Sequence, residues 1–264
     1  MNNRAADAIK NLYPYRHNVT ITGRIHNFGA GPAVLPLEVV EECRKSLPNL
    51  NNSGFGLLEI SHRSKTFQNI VDSSIEKLRR ILSIPDDYTV LYLQGGASLQ
   101  FYMSALNLLR ENEKVDFLVT GVWSQKALKE ASRIGDASAR WDDSENGFRS
   151  IPRNEDYSVR DDSLYLHYTS NNTLFGTQFH HLPESNGKPR VLDASSDIMG
   201  VPLDVSSHDL IYAGAQKNLG PSGVTVVILS PWAMQRVPSD LPTMLDYSVP
   251  VSYTHLTLPT NREV

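Results

Sequence analysis

The distribution of apolar and polar positions predicts strands and helices that alternate along the middle of the chain. Six short apolar runs, each closed by polar residues, glycine or proline, are predicted strands at 90–93, 115–119, 163–168, 191–193, 210–213 and 224–229. After the first of them, Leu99, Met103, Leu106 and Leu109 recur at spacings of four and three, the period of a helix face. This alternation predicts an α/β fold with a mostly parallel sheet.

Three further segments have helical periods. One spans 123–134, and a second carries an apolar face up to Leu82 and ends at Ser83 and Pro85. In a third, Cys43 lies on an apolar helix face, so it is predicted to be a buried small hydrophobe. Residues 1–25 and 248–264 show no clear period, and neither end is predicted to form a domain.

Composition and charge exclude several classes of protein. The 264 residues include 25 lysines and arginines against 29 aspartates and glutamates, so the net charge of −4 does not favour a nucleic-acid partner. A single cysteine allows neither an internal disulfide nor a cysteine-rich metal site, and no metal is predicted. No apolar stretch approaches the roughly 18 residues that span a bilayer. We therefore expect a soluble, cytoplasmic protein without a membrane partner.

A lysine and an aspartate carry the strongest candidate chemistry. Lys217 directly follows a predicted strand, among small residues and before Gly-Pro-Ser-Gly, where poor solvation would keep its amine reactive enough to form a Schiff base. Taken alone, the segment favours an ordinary surface lysine in a loop. Asp193 ends another predicted strand, and a carboxylate together with a lysine amine are the two groups that pyridoxal phosphate chemistry requires.

Two glycine-containing stretches could approach an anion. Residues 95–98, Gly-Gly-Ala-Ser, lie between a predicted strand and a predicted helix, where main-chain amides can bind a phosphate. A plain glycine turn capped by Ser98 explains the same stretch equally well. Residues 29–31, Gly-Ala-Gly, do not make a dinucleotide fingerprint, because Val34 stands where the third glycine is needed.

Seven stretches, taken in order, resemble a known family. They are 27–36 (NFGAGPAVLP), 59–65 (EISHRSK), 95–98 (GGAS), 120–124 (TGVWS), 171–173 (NNT), 193–196 (DASS) and 212–223 (YAGAQKNLGPSG). These stretches make the chain similar to the phosphoserine aminotransferases, which are class V, fold-type I pyridoxal-phosphate enzymes. The resemblance implies a three-layer large domain over 27–247, with 1–26 and 248–264 outside it and the small C-terminal domain largely missing. It also implies a homodimer.

The resemblance implies roles for the residues around the cofactor, pyridoxal 5'-phosphate. Lys217 would bond covalently to it, and Asp193 would pair with the ring nitrogen. Trp123 would stack on the ring, where a flat apolar face suits a conjugated system. Thr173 would hydrogen-bond the ring hydroxyl.

The remaining implied roles concern anionic groups. Ala97 and Ser98 would bind the cofactor phosphate through amide and hydroxyl, and Gln216 would assist from beside the lysine. His62 and Arg63 match the substrate-anion site of the family, since a guanidinium can bind a carboxylate or phosphate at two points.

The implied reaction transfers the amino group of O-phospho-L-serine to 2-oxoglutarate, giving 3-phosphohydroxypyruvate and L-glutamate in serine biosynthesis. Use of 4-phosphohydroxythreonine, in vitamin B6 synthesis, stays open. One alternative is an alanine–glyoxylate type of transaminase, although 61–63 and 171–173 favour phosphoserine. The other is a truncated, non-catalytic fragment, because the family continues well beyond Tyr247.

Overall fold

A seven-stranded sheet forms the centre of the computed structural model, which describes residues 23–250. The strands are β1 Thr89–Leu93, β2 Lys114–Val119, β3 Asp136–Asp142, β4 Ser163–Thr169, β5 Arg190–Asp193, β6 Leu210–Gly214 and β7 Thr225–Leu229. All six predicted strands are confirmed, with bounds that differ by no more than one residue. The predictions for the two chain ends fall almost entirely outside the described residues.

The order of the strands brings six carboxyl ends to one edge of the sheet. That order is β1-β7-β6-β5-β4-β2-β3, and only β7 runs antiparallel to its neighbours. Since β1 and β6 are both antiparallel to β7, they are parallel to each other and to the remaining strands. Loops that follow these strands therefore meet at a common edge, which is where open α/β sheets bind ligands.

The strand β3 was missed by the prediction. Its sequence, Asp-Ala-Ser-Ala-Arg-Trp-Asp, contains no apolar run, and its residues are half-buried or exposed. It lies at the end of the sheet beyond β2, so that only one of its edges is paired. An edge strand of this kind has no fully buried stretch, and hydrophobic patterning therefore gives a weak signal.

Within the described part of the chain, five α-helices accompany the sheet: α1 Leu37–Ser46, α2 Lys65–Leu82, α3 Gly96–Leu108, α4 Val122–Ala131 and α5 Pro231–Arg236. The short 3-10 helices are Leu50–Asn52, Ser144–Asn146, Asn154–Asp156, Val205–Ser207 and Thr243–Leu245. Ser64 caps α2 by accepting a hydrogen bond from the amide of Phe67. Ser83 ends α2 in the left-handed conformation, which confirms the predicted end.

Two apolar clusters lie on opposite faces of the sheet, because successive strand residues alternate between them. Leu210 and Tyr212 belong to the first cluster, whereas Ile211 belongs to the second. Helices α3 and α4 pack into the first cluster, and α2 contributes Leu78 and Leu82 to the second. The predicted three-layer α/β architecture is confirmed.

Helix α1 packs into neither cluster. None of its residues is buried, and its apolar residues Val39 and Val40 are exposed, as is Leu47 directly after it. The prediction that Cys43 is buried is therefore wrong, since this side chain is exposed as well. A helical period shows which side chains share a face, but it carries no information on what covers that face. Within residues 23–250, no helix has the length and apolar character needed to cross a membrane.

Candidate active site

A small cavity at the carboxyl edge of the sheet collects most of the predicted site residues. Its volume is about 140 Å³. Of the nine predicted residues, those that line it are Ala97, Ser98, Trp123, Asp193, Gln216 and Lys217. Residues far apart in sequence therefore meet here because strands β1, β2, β5 and β6 end at the same edge.

Asp193 is the last residue of β5 and is almost fully buried. Its Oδ1 accepts hydrogen bonds from the amide of Ser195 at 3.0 Å and from the hydroxyl of Ser195 at 2.6 Å. The Ser195 Oγ in turn accepts from the amide of Gly214 at 3.1 Å, which fixes the carboxylate to β6. Both bonds to Asp193 use Oδ1, and Oδ2 has no donor among the described residues.

Burial governs the protonation of Asp193. Removal from water raises the pKa of its carboxyl, and the nearby Asp197 raises it further. The two hydrogen bonds from Ser195 and the charge of Lys217 act in the opposite direction, and burial is the largest of these effects. A carboxylate in this position gains most by binding a positively charged partner, such as a protonated ring nitrogen.

Lys217 follows β6 by three residues and is half-buried. Its Nζ donates a short hydrogen bond to Thr173 Oγ1. Burial lowers the pKa of the amine, while the charges of Asp193 and Asp197 raise it. Desolvation therefore favours the neutral, nucleophilic amine predicted from the small residues around the lysine.

The Gly-Ala-Gly stretch at 29–31 lies against the lysine segment. The amide of Ala33 donates to the carbonyl of Gln216 at 2.7 Å. A Cβ atom on Gly31 would lie 3.3 Å from Lys217 Cγ, closer than such contacts normally are. The stretch thus needs a glycine to approach the lysine, a role that the sequence reasoning missed.

The start of α3 offers main-chain donors to the cavity. Gly95 and Gly96 both have positive φ, at +89° and +65°, and a Cβ on Gly95 would lie 2.5 Å from Leu99 Cδ2. This turn leaves the first amides of α3 without partners inside the helix, beside Ala97 and Ser98. Unpaired amides at a helix N-terminus are a binding site for an anion.

Trp123, in the first turn of α4, also lines the cavity. Its ring lies 6.5 Å from that of Phe101, and the Lys126 ammonium lies 4.6 Å from its centroid. Two polar atoms of the lining residues, Trp123 Nε1 and Thr169 Oγ1, are buried without a hydrogen-bond partner in the described chain. Buried polar atoms normally have a hydrogen-bond partner, so these two are candidates to bind a polar ligand.

Thr173 is not among the residues that line the cavity, but it contacts Lys217 and belongs to a hydrogen-bonded chain of hydroxyl groups. Its Oγ1 donates to Ser196 Oγ at 3.0 Å, and Ser196 Oγ donates to Asn171 Oδ1 at 3.0 Å. Ser196 and Asn171 also line the cavity. Both stand in motifs that follow predicted strands, but the sequence predicts no role for either of them, since a period or a composition does not show side-chain hydrogen bonds.

Asn172 fixes the turn that carries Thr173. Its Nδ2 donates to Thr120 Oγ1 at 3.0 Å and to Thr177 Oγ1 at 3.1 Å. A Cβ on Gly121 would lie 2.3 Å from Asn172 Oδ1, so the turn packs directly against a glycine. The turn is thereby tied to the loop between β2 and α4.

His62 and Arg63 are not among the residues that line the cavity. Both are exposed in the turn that precedes α2, where the Arg63 amide donates to Ser61 Oγ at 3.2 Å. The structure does not bring them to Lys217, and their predicted role in binding a substrate anion stays a prediction.

A larger cavity of about 480 Å³ lies beside the second apolar cluster. In it, Tyr168 and His208 share a hydrogen bond of 2.6 Å, and the His208 ring also contacts the carbonyl of Asp204. Burial lowers the pKa of His208 to about 4, so the ring is neutral. This cavity lacks a reactive amine and a helix N-terminus, and we therefore place the chemistry in the smaller one.

The donors of the smaller cavity fit an aromatic carbonyl compound that carries an anionic group and a ring nitrogen. The amides at the start of α3 suit the anion, and Asp193 suits the ring nitrogen. Lys217 supplies an amine for the carbonyl carbon, and Trp123 supplies a flat apolar wall. Pyridoxal 5'-phosphate has all of these features.

Comparisons with known proteins agree with this geometry. The family model described as "Aminotransferase class-V" matches residues 25–248. Phosphoserine aminotransferases from Geobacillus kaustophilus and Desulfotalea psychrophila are 50% and 47% identical over 224 residues, which is 85% of this chain. The chain spans 62% of the length of these two relatives.

Solved structures give the same result. A phosphoserine aminotransferase from Bacillus circulans subsp. alkalophilus superposes with a TM-score of 0.83 at 41% identity, covering 87% of this chain and 63% of that one. A pyridoxal-phosphate-bound phosphoserine aminotransferase from Trichomonas vaginalis has a TM-score of 0.78 at 32% identity, covering 89% and 70%. The chain therefore belongs to the class-V aminotransferase family, in which it is similar to the phosphoserine aminotransferases.

Proposed function

We propose that this chain is the cofactor-binding part of a pyridoxal-phosphate-dependent transaminase that acts on O-phospho-L-serine and 2-oxoglutarate. The observation that carries the proposal is the single cavity that Lys217, Asp193 and the start of α3 share. The similarity to phosphoserine aminotransferases supports the choice of substrates. The predicted unit over 27–247, a homodimeric assembly and a cytoplasmic location are part of the same proposal.

Each residue of the cavity has a defined task in this reaction. When bound, pyridoxal phosphate supplies an electron sink that acidifies the α-carbon of the amino acid. Asp193 would keep the ring nitrogen protonated, and its Oδ2 has no donor among the described residues, whereas Oδ1 is held by Ser195. Lys217 would hold the carbonyl carbon of the cofactor through its amine and, once the substrate amine has displaced it, would hold the proton taken from the α-carbon.

The remaining residues orient the reacting groups. The α3 amides, Ser98 and Gln216 would hold the phosphate, and Thr173 would contact the ring hydroxyl. Trp123 would cover one face of the ring and exclude water from it. His62 and Arg63 would bind the anionic end of the substrate, although they lie outside the cavity in this structure.

A second candidate function is a unit that binds the cofactor but does not complete the transfer. The position of His62 and Arg63 supports it, because the residues proposed for the substrate anion do not line the cavity. The alanine–glyoxylate alternative gains little support: a ureidoglycine–glyoxylate aminotransferase from Bacillus subtilis is similar at 14% identity and a TM-score of 0.69, which is a likeness of fold alone.

The first experiment asks whether Lys217 bonds to the cofactor. Purified protein is mixed with pyridoxal phosphate, the absorbance spectrum is recorded, and the adduct is fixed with borohydride and located by peptide mass spectrometry. We expect an absorbance band of the lysine-bound cofactor and a label on Lys217. Lys217→Ala should lose both, whereas Lys129→Ala, which changes an exposed lysine of α4, should keep both.

A second measurement separates the two candidate functions. The cofactor-loaded protein is given O-phospho-L-serine and 2-oxoglutarate, and glutamate formation is followed. Glutamate formed by wild type but not by Lys217→Ala supports the transaminase. A labelled lysine without glutamate supports the binding unit, and an unlabelled Lys217 in folded protein contradicts both.

A further inference from the structure

We infer that Ser196 and Asn171 are positioning residues, which hold the Thr173 hydroxyl as a hydrogen-bond acceptor toward Lys217 through a relay of fixed direction. The relay consists of Lys217, Thr173, Ser196 and Asn171. The inference rests on the proposed function only in taking Lys217 as the reactive amine.

With the Asn171 amide oriented so that Oδ1 faces Ser196, the direction of the relay follows from counting protons. The carbonyl oxygen of Asn171 has no proton, so Ser196 must donate to it, as the 3.0 Å contact shows. A hydroxyl has one proton, so Ser196 can only accept from Thr173, again at 3.0 Å. Thr173 has then used its own proton and presents a lone pair to Lys217 Nζ, which donates to it.

The ends of the relay are fixed by the fold. The main chain of Asn171 pairs with that of Gln178 in an antiparallel bridge, and Gln178 Nε2 donates to Asp197 Oδ2 at 3.0 Å. Ser196 lies next to Ser195, which holds Asp193. The turn at 193–196 therefore positions both the carboxylate and the hydroxyl relay.

The relay has a consequence for the reactivity of Lys217. An acceptor-only Thr173 stabilises the ammonium form of the lysine, and it offers no proton to the neutral amine. Without Ser196, the Thr173 proton is free to bond the neutral amine, which then gains a hydrogen bond. The relay thus limits how far burial can increase the neutral fraction of Lys217.

The test measures the amine directly in protein without cofactor. Wild type and Ser196→Ala are treated with trinitrobenzenesulfonate from pH 6 to pH 10, and modification of Lys217 is followed by peptide mass spectrometry. At neutral pH we expect Lys217 to react about fivefold faster in Ser196→Ala, the equivalent of one hydrogen bond. The charged groups that act on Lys217, Asp193 and Asp197, are the same in both proteins.

Two further variants exclude a merely structural effect. Ser196→Thr keeps the hydroxyl and should restore the wild-type pH profile. Ser185→Ala removes a buried hydroxyl that bonds only the carbonyl of Lys188 at 2.7 Å, and it should leave the profile unchanged. If Ser196→Ala does not fold, Asn171→Leu removes the terminal acceptor and should also accelerate the reaction.

The inference is overturned if folded Ser196→Ala reacts at the wild-type rate, or if Ser196→Thr behaves like Ser196→Ala. These results are independent of the proposed function, because the experiment contains no cofactor. Failure of Lys217 to bind pyridoxal phosphate would refute the transaminase and leave the relay intact. A wild-type pH profile in Ser196→Ala would refute the relay and leave the transaminase intact.

Discussion

The sheet and the segment before α2 differ sharply in how their apolar residues are covered. Every residue of β6 and β7 is buried. In residues 23–64, only Leu50 and Gly56 are buried, and Phe28 and Leu58 are 92% and 84% exposed. Both regions contain large apolar residues, so residue type alone does not decide which of these side chains are buried. The difference lies in whether a second layer covers each face.

The two regions also divide the candidate chemistry. The groups proposed for the cofactor lie in the segments that follow the strands of the sheet or, in the case of Asp193, at a strand end where buried hydrogen bonds hold it. The groups proposed for the substrate anion, His62 and Arg63, lie in the exposed segment. We therefore expect changes in the sheet to affect folding and cofactor binding together, and changes in the exposed segment to leave folding intact.

The largest expected effect contrasts two phenylalanines. Phe117 is 1% exposed in β2 and packs against Tyr165 and His167, so Phe117→Ala should lower the free energy of unfolding by about 3–5 kcal/mol. Phe28→Ala should change it by less than about 0.5 kcal/mol, because the side chain is already in solvent. Urea unfolding followed by circular dichroism measures both. Equal losses would show that residues 23–64 are covered in solution.

A second effect concerns acid stability, to which the buried His208, just before β6, should contribute. Burial lowers the pKa of His208 to about 4, below its ordinary value of 6.5. Between these values the unfolded chain binds more protons than the folded one, so stability falls as the pH falls from 6.5 toward 4. His208→Gln should reduce this slope by up to about 1.4 kcal/mol per pH unit.

The measurement is urea unfolding from pH 4.5 to pH 8. His208→Gln also loses the hydrogen bond to Tyr168, so it should be less stable than wild type at pH 8. Only the slope tests the protonation argument. Parallel curves for the two proteins would contradict it.

The sequence predicts the sheet well, because buried strands require continuous apolar runs. Strand β3 has no such run and is not predicted, since an edge strand buries little apolar surface. Cys43 shows the converse failure, in which the period of α1 is correct but its face is left uncovered. Both errors arise because tertiary neighbours decide burial.

The residues of the candidate site also fall into those that the sequence predicts and those that it does not. Lys217 and Asp193 could be predicted, because each stands at the end of an apolar run where parallel sheets place their ligands. Ser196 and Asn171 could not be assigned a role, because their function depends on hydrogen bonds between loops 25 residues apart. The need for glycine at Gly31 and Gly121 could not be predicted either, since only the packed structure shows which atoms a Cβ would contact.

A third prediction uses the tight contact beneath the Thr173 turn. A methyl group at Gly121 would lie 2.3 Å from Asn172 Oδ1, so Gly121→Ala should displace the turn that carries Asn171 and Thr173. We expect a loss of about 1–3 kcal/mol in stability and weaker binding of pyridoxal phosphate. Gly220→Ala, with nothing within 4 Å of the added methyl, should change neither.

Thermal unfolding and cofactor titration by absorbance measure these effects. The turn is tied to Thr120 and Thr177 by the side chain of Asn172, so it has little freedom to move away. Unaltered cofactor binding in Gly121→Ala would show that the position of Thr173 is unimportant for the cofactor.

The smallest expected effect on folding comes from Arg63, and it tests whether the exposed segment contributes to function. Arg63 is exposed and its guanidinium makes no contact with the cavity, so Arg63→Gln should change stability by less than about 0.5 kcal/mol and leave cofactor binding unchanged. If the guanidinium binds the substrate anion, the variant should bind O-phospho-L-serine at least tenfold more weakly, since charge-assisted hydrogen bonds contribute about 1.5–3 kcal/mol.

Spectral titration of the cofactor-loaded protein measures this affinity, with Arg133→Gln on the exposed surface after α4 as the matched control. Equal affinities for wild type and Arg63→Gln would remove Arg63 from the substrate site and confine the chemistry to the sheet.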